Sequence, residues 1–435
     1  MPCAWLDARR RSKISGYLHD HKPAESRIYT LHTREESHCG RRDMILERGY
    51  QGRCLRVGSC YNYVISMLEN FSVGKLFGSF LSKEQSVLGI DIGSSSIKVV
   101  QLKKKKGKAI LETYGELSLG PYAELSIGQA TILSTEKTIE AMKDLFREAN
   151  VTAKIAAVAL PLRSSLLKVI ELPSSKDEQI NRMVPIEARK HIPVPISEVT
   201  LDWWAIPKKD FQTPEMVSPD ASGQPNMSSK TEILLVAIHK AAVKKQQDVV
   251  AGMGLDARTY EIETFSSIRS VLSRDISAMA ILDVGAGTSK LTIIDYGVVR
   301  VSHVINKGAQ DVTVAIATAS GIPFADAEKK KRKEGLAEQA SAGSILDYIL
   351  FEANAVIEEY QKAHARLINK IVCTGGGAVM QGFVQIAQKH FQAEVTLGAP
   401  FTRIEAPAFL TDILTQAGPE FAVAIGLALH ELEEV

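Results

Sequence analysis

The sequence predicts an α/β protein of two lobes, with a small α+β subdomain inserted into the first lobe. Three observations predict this architecture. A strand, a turn rich in Gly and Ser and a second strand occupy residues 87–100, and a near copy returns at 281–293. Strands and helices alternate after each copy, which favours mixed α/β layers. Residues 165–238 have a different pattern of predicted strands and helices, and they interrupt the first half of the chain.

Length and composition allow two sizeable cores. The chain has 435 residues, of which 45% are hydrophobic and 23% charged, and its formal net charge is +2. This composition is typical of a globular protein and not of a disordered chain. The small net charge argues against a general nucleic-acid binder, so no nucleic-acid partner is expected. The longest apolar stretch is shorter than the roughly 18 residues of a membrane span, so no membrane-spanning segment is predicted.

The first 66 residues form an atypical leader. They contain ten Arg and two Lys, whereas the remainder contains 11 Arg and 29 Lys, and they hold four of the five Cys. Their net charge is +5, which leaves −3 for the rest of the chain. We interpret residues 1–66 as a disordered arm or as an extension of the gene model, with synthesis starting at Met67.

The core of the first lobe is predicted over residues 67–164 and 239–278. Apolar residues after Met67 recur on one helical face and predict a helix. Packing on this lobe is the favoured interpretation, and contact with a membrane surface is the alternative. The other elements follow from the same periodicities, with strands at 87–92, 96–103, 109–118 and 155–160 and helices at 135–150 and 241–251.

The inserted subdomain is predicted over residues 165–238. Its pattern indicates one strand, one helix and two further strands, at 166–172, 176–191, 199–206 and 232–238. Residues 208–230 are rich in Pro, Ser, Gln and Asn, which favours a long mobile loop.

The second lobe is predicted as a core over residues 279–305 and 369–435, with an outer subdomain at 306–368. The second hairpin opens this lobe. Helices are predicted around 309–319, 324–334, 343–365, 381–390 and 420–434, and a strand at 370–373.

The two hairpins carry the residue types that a nucleotide site needs. In each, an apolar strand delivers an Asp, and small residues then let backbone N–H groups approach phosphate oxygens. A carboxylate beside phosphates is repelled unless a divalent cation lies between them, so we expect Asp91 and Asp283 to hold Mg²⁺ through its waters. A single turn of this kind is also typical of an ordinary core hairpin, but its recurrence favours a nucleotide. The small residues are Gly93, Ser94 and Ser95 in the first turn, and Gly285, Gly287, Thr288 and Ser289 in the second.

Two later segments complete an ordered set with the hairpins. One is a strand followed by Gly375, Gly376 and Gly377, and the other is a helix of small residues at 422–428. The set resembles the actin-like ATPase superfamily, and within it the PilM family of type IV pilus assembly. The resemblance covers about residues 84–432. It rests also on the segments 86–101, 166–173, 187–193 and 201–204.

The resemblance implies a fold and a cofactor set. The fold is an actin-like two-lobed ATPase fold with ribonuclease H-like lobes, and the insertion favours its FtsA/PilM branch over kinases and chaperones. The implied cofactors are ATP and Mg²⁺. Asp91, Asp283 and Glu263 form the implied catalytic group, in which Glu263 orients water or metal or is merely structural.

The remaining site residues are also carried over by resemblance. The glycines at 375–377 match the adenosine motif, where missing side chains let the nucleoside lie on the backbone. Glu328 and Lys331 match positions that grip the ribose. Lys98 either reaches phosphate or faces solvent, since it lies on an alternating strand.

The implied function is a cytoplasmic ATP-binding scaffold at the inner face of the inner membrane, with at most slow ATPase activity. Its expected partners are the cytoplasmic tail of a PilN-like inner-membrane protein and other pilus assembly components, and membrane association would be indirect through this partner. The tail would lie in a groove near residues 155–206, with Arg163, Lys168, Arg189 and Trp203 as contacts. An FtsA-like cell-division homologue and a small-molecule kinase are the alternatives, although we find no further Asp or Glu whose context marks the general base of a kinase.

Overall fold

A computed structural model describes residues 85–173, 177–206, 230–273, 276–335 and 340–434. The predicted leader, the helix after Met67 and nearly all of the spacer at 208–230 lie outside the described residues. Within the described ranges, none of the helices combines the length and the apolar character that a bilayer span requires.

The described elements follow the predicted order closely. The strands are β1 (Ser86–Ile92), β2 (Ser96–Lys105), β3 (Lys108–Ser118), β4 (Ile155–Leu160), β5 (Ser165–Leu172), β6 (Val199–Ala205), β7 (Thr231–His239), β8 (Asp256–Ile262), β9 (Met279–Val284), β10 (Ser289–Asp295), β11 (Val298–Ile305), β12 (Lys370–Thr374) and β13 (Glu394–Leu397). The α-helices are α1 (Thr135–Glu148), α2 (Asp177–Ala188), α3 (Lys240–Met253), α4 (Glu263–Val271), α5 (Ala309–Ser320), α6 (Phe324–Glu334), α7 (Ala340–His364), α8 (Phe383–His390), α9 (Thr411–Ala417) and α10 (Ala422–Glu434).

Two five-stranded sheets share one topology. Their orders are β3-β2-β1-β4-β8 and β11-β10-β9-β12-β13. In each, the central strand pairs antiparallel with the next strand of its hairpin and parallel with the strand that follows a helical crossover. The repeated topology confirms the predicted two-lobed α/β fold.

The third sheet, in the order β5-β7-β6, is the one that interrupts the first lobe. Helix α2 packs on one of its faces, where Trp203 lies with Leu235. Since neighbouring side chains on a strand point to opposite faces, Trp204 lies on the other face. That face packs on Leu162 and Phe265 of the first lobe and also on β11 of the second. Trp203, a predicted groove contact, therefore lies on the face that α2 covers, and its contact with a partner stays a prediction.

The closing helix α10 packs on the first sheet. Ala424 and Ala428 of this helix share one hydrophobic cluster with Val87 of β1 and Val100 of β2. A Cβ atom added to Gly89 of β1 would lie 2.0 Å from the carbonyl oxygen of Ala424, so the strand and helix meet backbone to backbone. The prediction had assigned all of 369–435 to the second lobe. The small residues of α10 explain the difference, since they let it approach the first sheet closely.

A buried ion pair joins β8, α4 and α10. The Glu261 side chain is fully buried, and Arg269 binds it with two nitrogens, at 2.6 and 2.8 Å. The same guanidinium donates to the carbonyl oxygen of Gly426 at 3.0 Å. This network fixes the helix that carries Glu263 at its first position.

Candidate nucleotide-binding site

A cavity of about 870 Å³ lies between the two lobes, where both hairpins and the glycine triplet converge. Small-molecule sites usually have volumes of roughly 300–1,000 Å³. Two of the predicted residues do not line it. They are Gly287, which faces Ala130 and Ser94, and buried Ser289, which donates a hydrogen bond to the carbonyl oxygen of Lys307 at 2.8 Å. The predicted residues that line the cavity are Asp91, Gly93, Ser94, Ser95, Lys98, Glu263, Asp283, Gly285, Thr288, Glu328, Lys331, Gly375, Gly376 and Gly377.

The two turns are closed by the same hydrogen bond. The amide of Gly93 donates to the carbonyl oxygen of Ser96, and the amide of Gly285 donates to that of Thr288, each at 3.0 Å. A Cβ added to Gly287 would lie 3.5 Å from Oγ of Ser94, so the turns face each other at short range. Backbone and hydroxyl groups of both lobes therefore converge on one space.

Each hairpin places a lysine opposite its aspartate. In the strand register Lys98 is the partner of Asp91, and Lys290 is the partner of Asp283. Lys98 points into the cavity wall, with its Nζ 3.2 Å from Glu116 Oε1, and its side chain is only 12% exposed. Lys98 therefore lies at the cavity and does not face open solvent, which were the two alternatives for this side chain.

Lys290 was missed by the sequence analysis. Its Nζ lies 3.1 Å from Asp283 Oδ2 and 2.7 Å from Glu263 Oε2. The signal was present, since both hairpins read D-x-G-x-x-x-x-K and the lysine follows its aspartate at the same distance. Glu116 and Arg332 also line the cavity without having been predicted.

The charges in the cavity perturb one another. Burial raises the pKa of Asp91 to about 6, and the carboxylates of Glu263 and Asp283 add to this effect against the opposing charges of Lys98 and Lys290. Burial alone would lower the pKa of Lys98, but Glu116 and Asp91 raise it well above its usual range. Ionisation of Asp91 is therefore costly among these protein groups alone, whereas Lys98 stays charged.

Glu328 and Lys331 form an ion pair in the cavity wall. Lys331 Nζ lies 2.6 Å from Glu328 Oε2, and both side chains are less than a tenth exposed. Arg332 Nε donates to the other oxygen of Glu328 at 2.7 Å. Burial lowers the pKa of Lys331, and the Glu328 charge opposes this effect. Their predicted contact with a ribose stays a prediction, because both groups are engaged with each other.

The three glycines of the triplet have different surroundings. Added Cβ atoms would lie 2.3 Å from Asp283 Oδ1 at Gly375 and 2.3 Å from Val284 Cγ1 at Gly377. At Gly376 the nearest atoms, on the Glu420 side chain, would be 4.0 Å away. Gly376 is therefore the member of the triplet that opens into the cavity, and its two neighbours are packed against β9.

The chemistry of the donor set allows a divalent cation held through water. In the described ranges, no group of three or more His, Cys, Asp or Glu side chains is placed to hold a metal ion directly. Asp91 and Asp283 lie in the cavity wall beside turns whose backbone amides suit phosphate, and two such carboxylates instead fit a cation that is bound largely by waters and ligand oxygens.

Replacing Asp91 with Asn should change the pH dependence of stability when nucleotide and divalent cations are absent. The folded pKa of about 6 lies above the unfolded value of 3.8, so the stabilising proton is lost as pH rises through 6. The carboxamide of the Asp91→Asn variant cannot ionise. The stability of the variant relative to the wild type should therefore increase by on the order of 1–2 kcal/mol between about pH 5 and about pH 7.5. Urea unfolding in EDTA at both pH values measures this, and a constant difference would contradict it.

Comparison with known proteins finds related sequences over most of the chain. The sequence model of the family described as "Type IV pilus assembly protein PilM" matches residues 89–432. The cell division protein FtsA of Pseudomonas aeruginosa is 21% identical over 385 residues, which cover 80% of this chain and 89% of that protein. FtsA of Neisseria meningitidis serogroup B is 22% identical over 352 residues, or 72% of this chain and 83% of that protein.

A solved structure gives the same fold. The chain superimposes with a TM-score of 0.66 on a chain of a "PilM-PilN type IV pilus biogenesis complex", at 22% identity, over 80% of this chain and 98% of that one. The match of the family model extends from Gly89 in β1 to the last turn of α10. Both repeated lobes and the inserted sheet thus lie within the PilM pattern, and the chain belongs to the type IV pilus assembly protein PilM family.

Proposed function

We propose that this chain is an ATP-binding scaffold of type IV pilus assembly, whose nucleotide state sets the shape of a partner groove. One observation carries the proposal, namely the interlobe cavity lined by two glycine turns of identical closure and by an open glycine. A ligand with a polyphosphate and a planar nucleoside suits this combination, because the turns offer backbone donors and Gly376 leaves room for a flat group.

Mg²⁺ would be held at Asp91 and Asp283, where it supplies positive charge to bound phosphates. The raised pKa of Asp91 supports this, because a cation would relieve the cost of the buried negative charge. Lys98 supplies a permanent positive charge beside the first turn.

We expect ATP turnover to be slow at most. Glu263 is the residue in position to orient an attacking water, yet Leu162 N–H donates to its Oε1 at 2.7 Å and Lys290 Nζ to its Oε2 at 2.7 Å. A carboxylate bound on both oxygens is a poor general base. The same observation favours a scaffold over a small-molecule kinase, which needs a free base beside its acceptor.

We propose that the partner is the cytoplasmic tail of a PilN-like inner-membrane protein. Membership of the PilM family supports this partner, and so does the presence of PilN in the complex named above. Such a partner would keep the chain in the cytoplasm, at the inner face of the inner membrane. Exposed Arg163 follows β4 at the junction of the lobe and the inserted sheet, and exposed Arg189 follows α2. Arg163 is accessible to a peptide that runs along this junction, whereas Arg189 follows the helix that covers the opposite face of the sheet.

A PilN-like tail fused to a carrier protein should retain this chain, and retention should be stronger with ATP and Mg²⁺. Arg163→Glu reverses a charge at the junction and should raise the dissociation constant by roughly tenfold, which is a loss of about 1.4 kcal/mol in binding free energy. Titration of the carrier by fluorescence anisotropy, with and without nucleotide, measures both effects.

Lys389→Glu is the matched control, because Lys389 is an exposed cation on α8 of the other lobe and its reversal should leave affinity unchanged. Equal affinities for both variants would contradict the groove. Failure of the wild type to bind any PilN-like tail would contradict the partner.

A further inference from the structure

Three groups form a continuous bonded chain between the cavity and the inserted sheet. Lys290 Nζ binds Asp283, an aspartate of the cavity wall, and also Glu263. The second oxygen of Glu263 accepts the amide hydrogen of Leu162 at 2.7 Å. Ion pairs and a hydrogen bond therefore connect Asp283, which precedes the second turn, to Leu162 without interruption.

Leu162 is placed where a small movement would be transmitted. It begins the short 3₁₀ turn Leu162–Ser164, and β5 of the inserted sheet starts at the next residue. Its side chain is 2% exposed and packs in the cluster that joins the first lobe, the inserted sheet and β11. A displaced Leu162 therefore shifts the packing between the sheet and both lobes, since close-packed interiors transmit strain.

We propose that Lys290 is a positioning residue that couples the nucleotide site to the inserted sheet, by holding Glu263 and, through Glu263, the turn at Leu162. The proposal rests on the proposed ATP site and deepens it by naming the route to the partner groove. Phosphate oxygens compete with Glu263 and Asp283 for the Lys290 ammonium, and a cation competes with Lys290 for Asp283. A bound nucleotide therefore changes the contact between Lys290 and Glu263.

The burial of these side chains distinguishes the network from an exposed surface ion pair. The side chains of Lys290, Glu263 and Asp283 are 16%, 12% and 17% exposed. Ion pairs that are mostly buried keep a defined geometry, because loss of one partner leaves a charge without compensation. Burial would lower the pKa of Lys290, but Asp283 and Glu263 raise it far above neutrality, so the ammonium persists at working pH.

Hydrogen exchange at the Leu162 amide tests the coupling without any need for turnover. In the full chain without nucleotide, Lys290→Gln should speed exchange in peptides that contain Leu162 by roughly tenfold, the factor for a lost charge-assisted bond. Lys290→Arg, which keeps the charge, should restore slow exchange. In the wild type, ATP with Mg²⁺ should change uptake over 160–172, and this change should be absent in Lys290→Gln.

Lys98→Gln is the matched control. Lys98 is the equivalent lysine of the first hairpin but pairs with Glu116 and not with Glu263. Its replacement should affect nucleotide affinity and leave Leu162 exchange in the free chain unchanged. If Lys290→Gln does not fold, Lys290→Met is measured instead.

Two failures are distinguishable. Wild-type protein that does not bind ATP would overturn the proposed function, and with it the nucleotide arm of the test. Wild-type protein that binds ATP, with Leu162 exchange identical in Lys290→Gln and wild type, would overturn the coupling and leave the proposed function standing.

Discussion

Replacing Gly376 with Leu should weaken ATP binding by at least about 100-fold, or roughly 2.7 kcal/mol, and leave the fold intact. A side chain at this position has no protein atom closer than 4.0 Å to its Cβ and so extends into the cavity. Its backbone also lies outside the positive-φ region that favours glycine. The free energy of unfolding should therefore stay within about 1 kcal/mol of the wild type, as for other exposed substitutions. Isothermal titration with ATP and Mg²⁺, paired with urea unfolding, measures both quantities.

The neighbouring glycine supplies the contrast. Gly377→Ala adds a single methyl group that meets Val284 Cγ1 at 2.3 Å, so it should lower stability by about 1–3 kcal/mol through overpacking. Gly376→Ala adds the same methyl group in open space and should be mild in both measurements. If Gly376→Leu stays folded and binds ATP as the wild type does, the triplet does not cradle the nucleoside.

Local periodicity predicted most elements of the fold, because each hairpin and amphipathic helix carries its own pattern. Helix α6 was predicted with its observed bounds at 324–334, since Pro323 and Gly335 flank it. The short strand β13 was not predicted, because four residues are too few to show an alternation. Its pairing with β12 is a tertiary contact that no local pattern encodes.

The site was predictable where chemistry demands a residue type, and less so where partners meet in space. The aspartates and glycines follow from phosphate chemistry in a local turn. Glu116 lies on β3 and meets Lys98 only because β2 and β3 pair, and their register places the two residues opposite each other. Lys290 could have been found by aligning the two hairpins. Its contact with Glu263 could not, because Glu263 starts a helix 27 residues earlier in the chain.

Helix α10 shows a second limit of local reasoning. The sequence predicts a helix of small residues here, but small residues do not indicate which sheet a helix approaches. The answer depends on Gly89 in β1 and on the Arg269 contact with Gly426, which lie far away in the sequence.

Arg269→Met should be the most destabilising single substitution discussed, with a loss of about 3–5 kcal/mol in the free energy of unfolding. Glu261 is 0% exposed, so removal of its bidentate partner leaves a buried carboxylate beside the Ser266 hydroxyl and the partly buried His430. The pair also fixes α4 against α10, so Glu263 at the start of α4 should lose its position. ATP affinity is expected to fall together with stability.

The pH dependence separates this charge effect from simple loss of packing. Burial raises the pKa of Glu261, but Arg269 outweighs it and holds the pKa below the usual value of 4.5. The stabilising effect of the pair is therefore fully present above about pH 4.5 and is lost as pH falls through the folded pKa. The wild type and Arg269→Met should converge in stability as the pH is lowered.

Glu261→Gln combined with Arg269→Met should recover much of the loss near neutral pH, because no buried charge is left alone. If the double variant is as unstable as Arg269→Met, and the deficit is the same at every pH, then packing and not charge determines the stability of this junction.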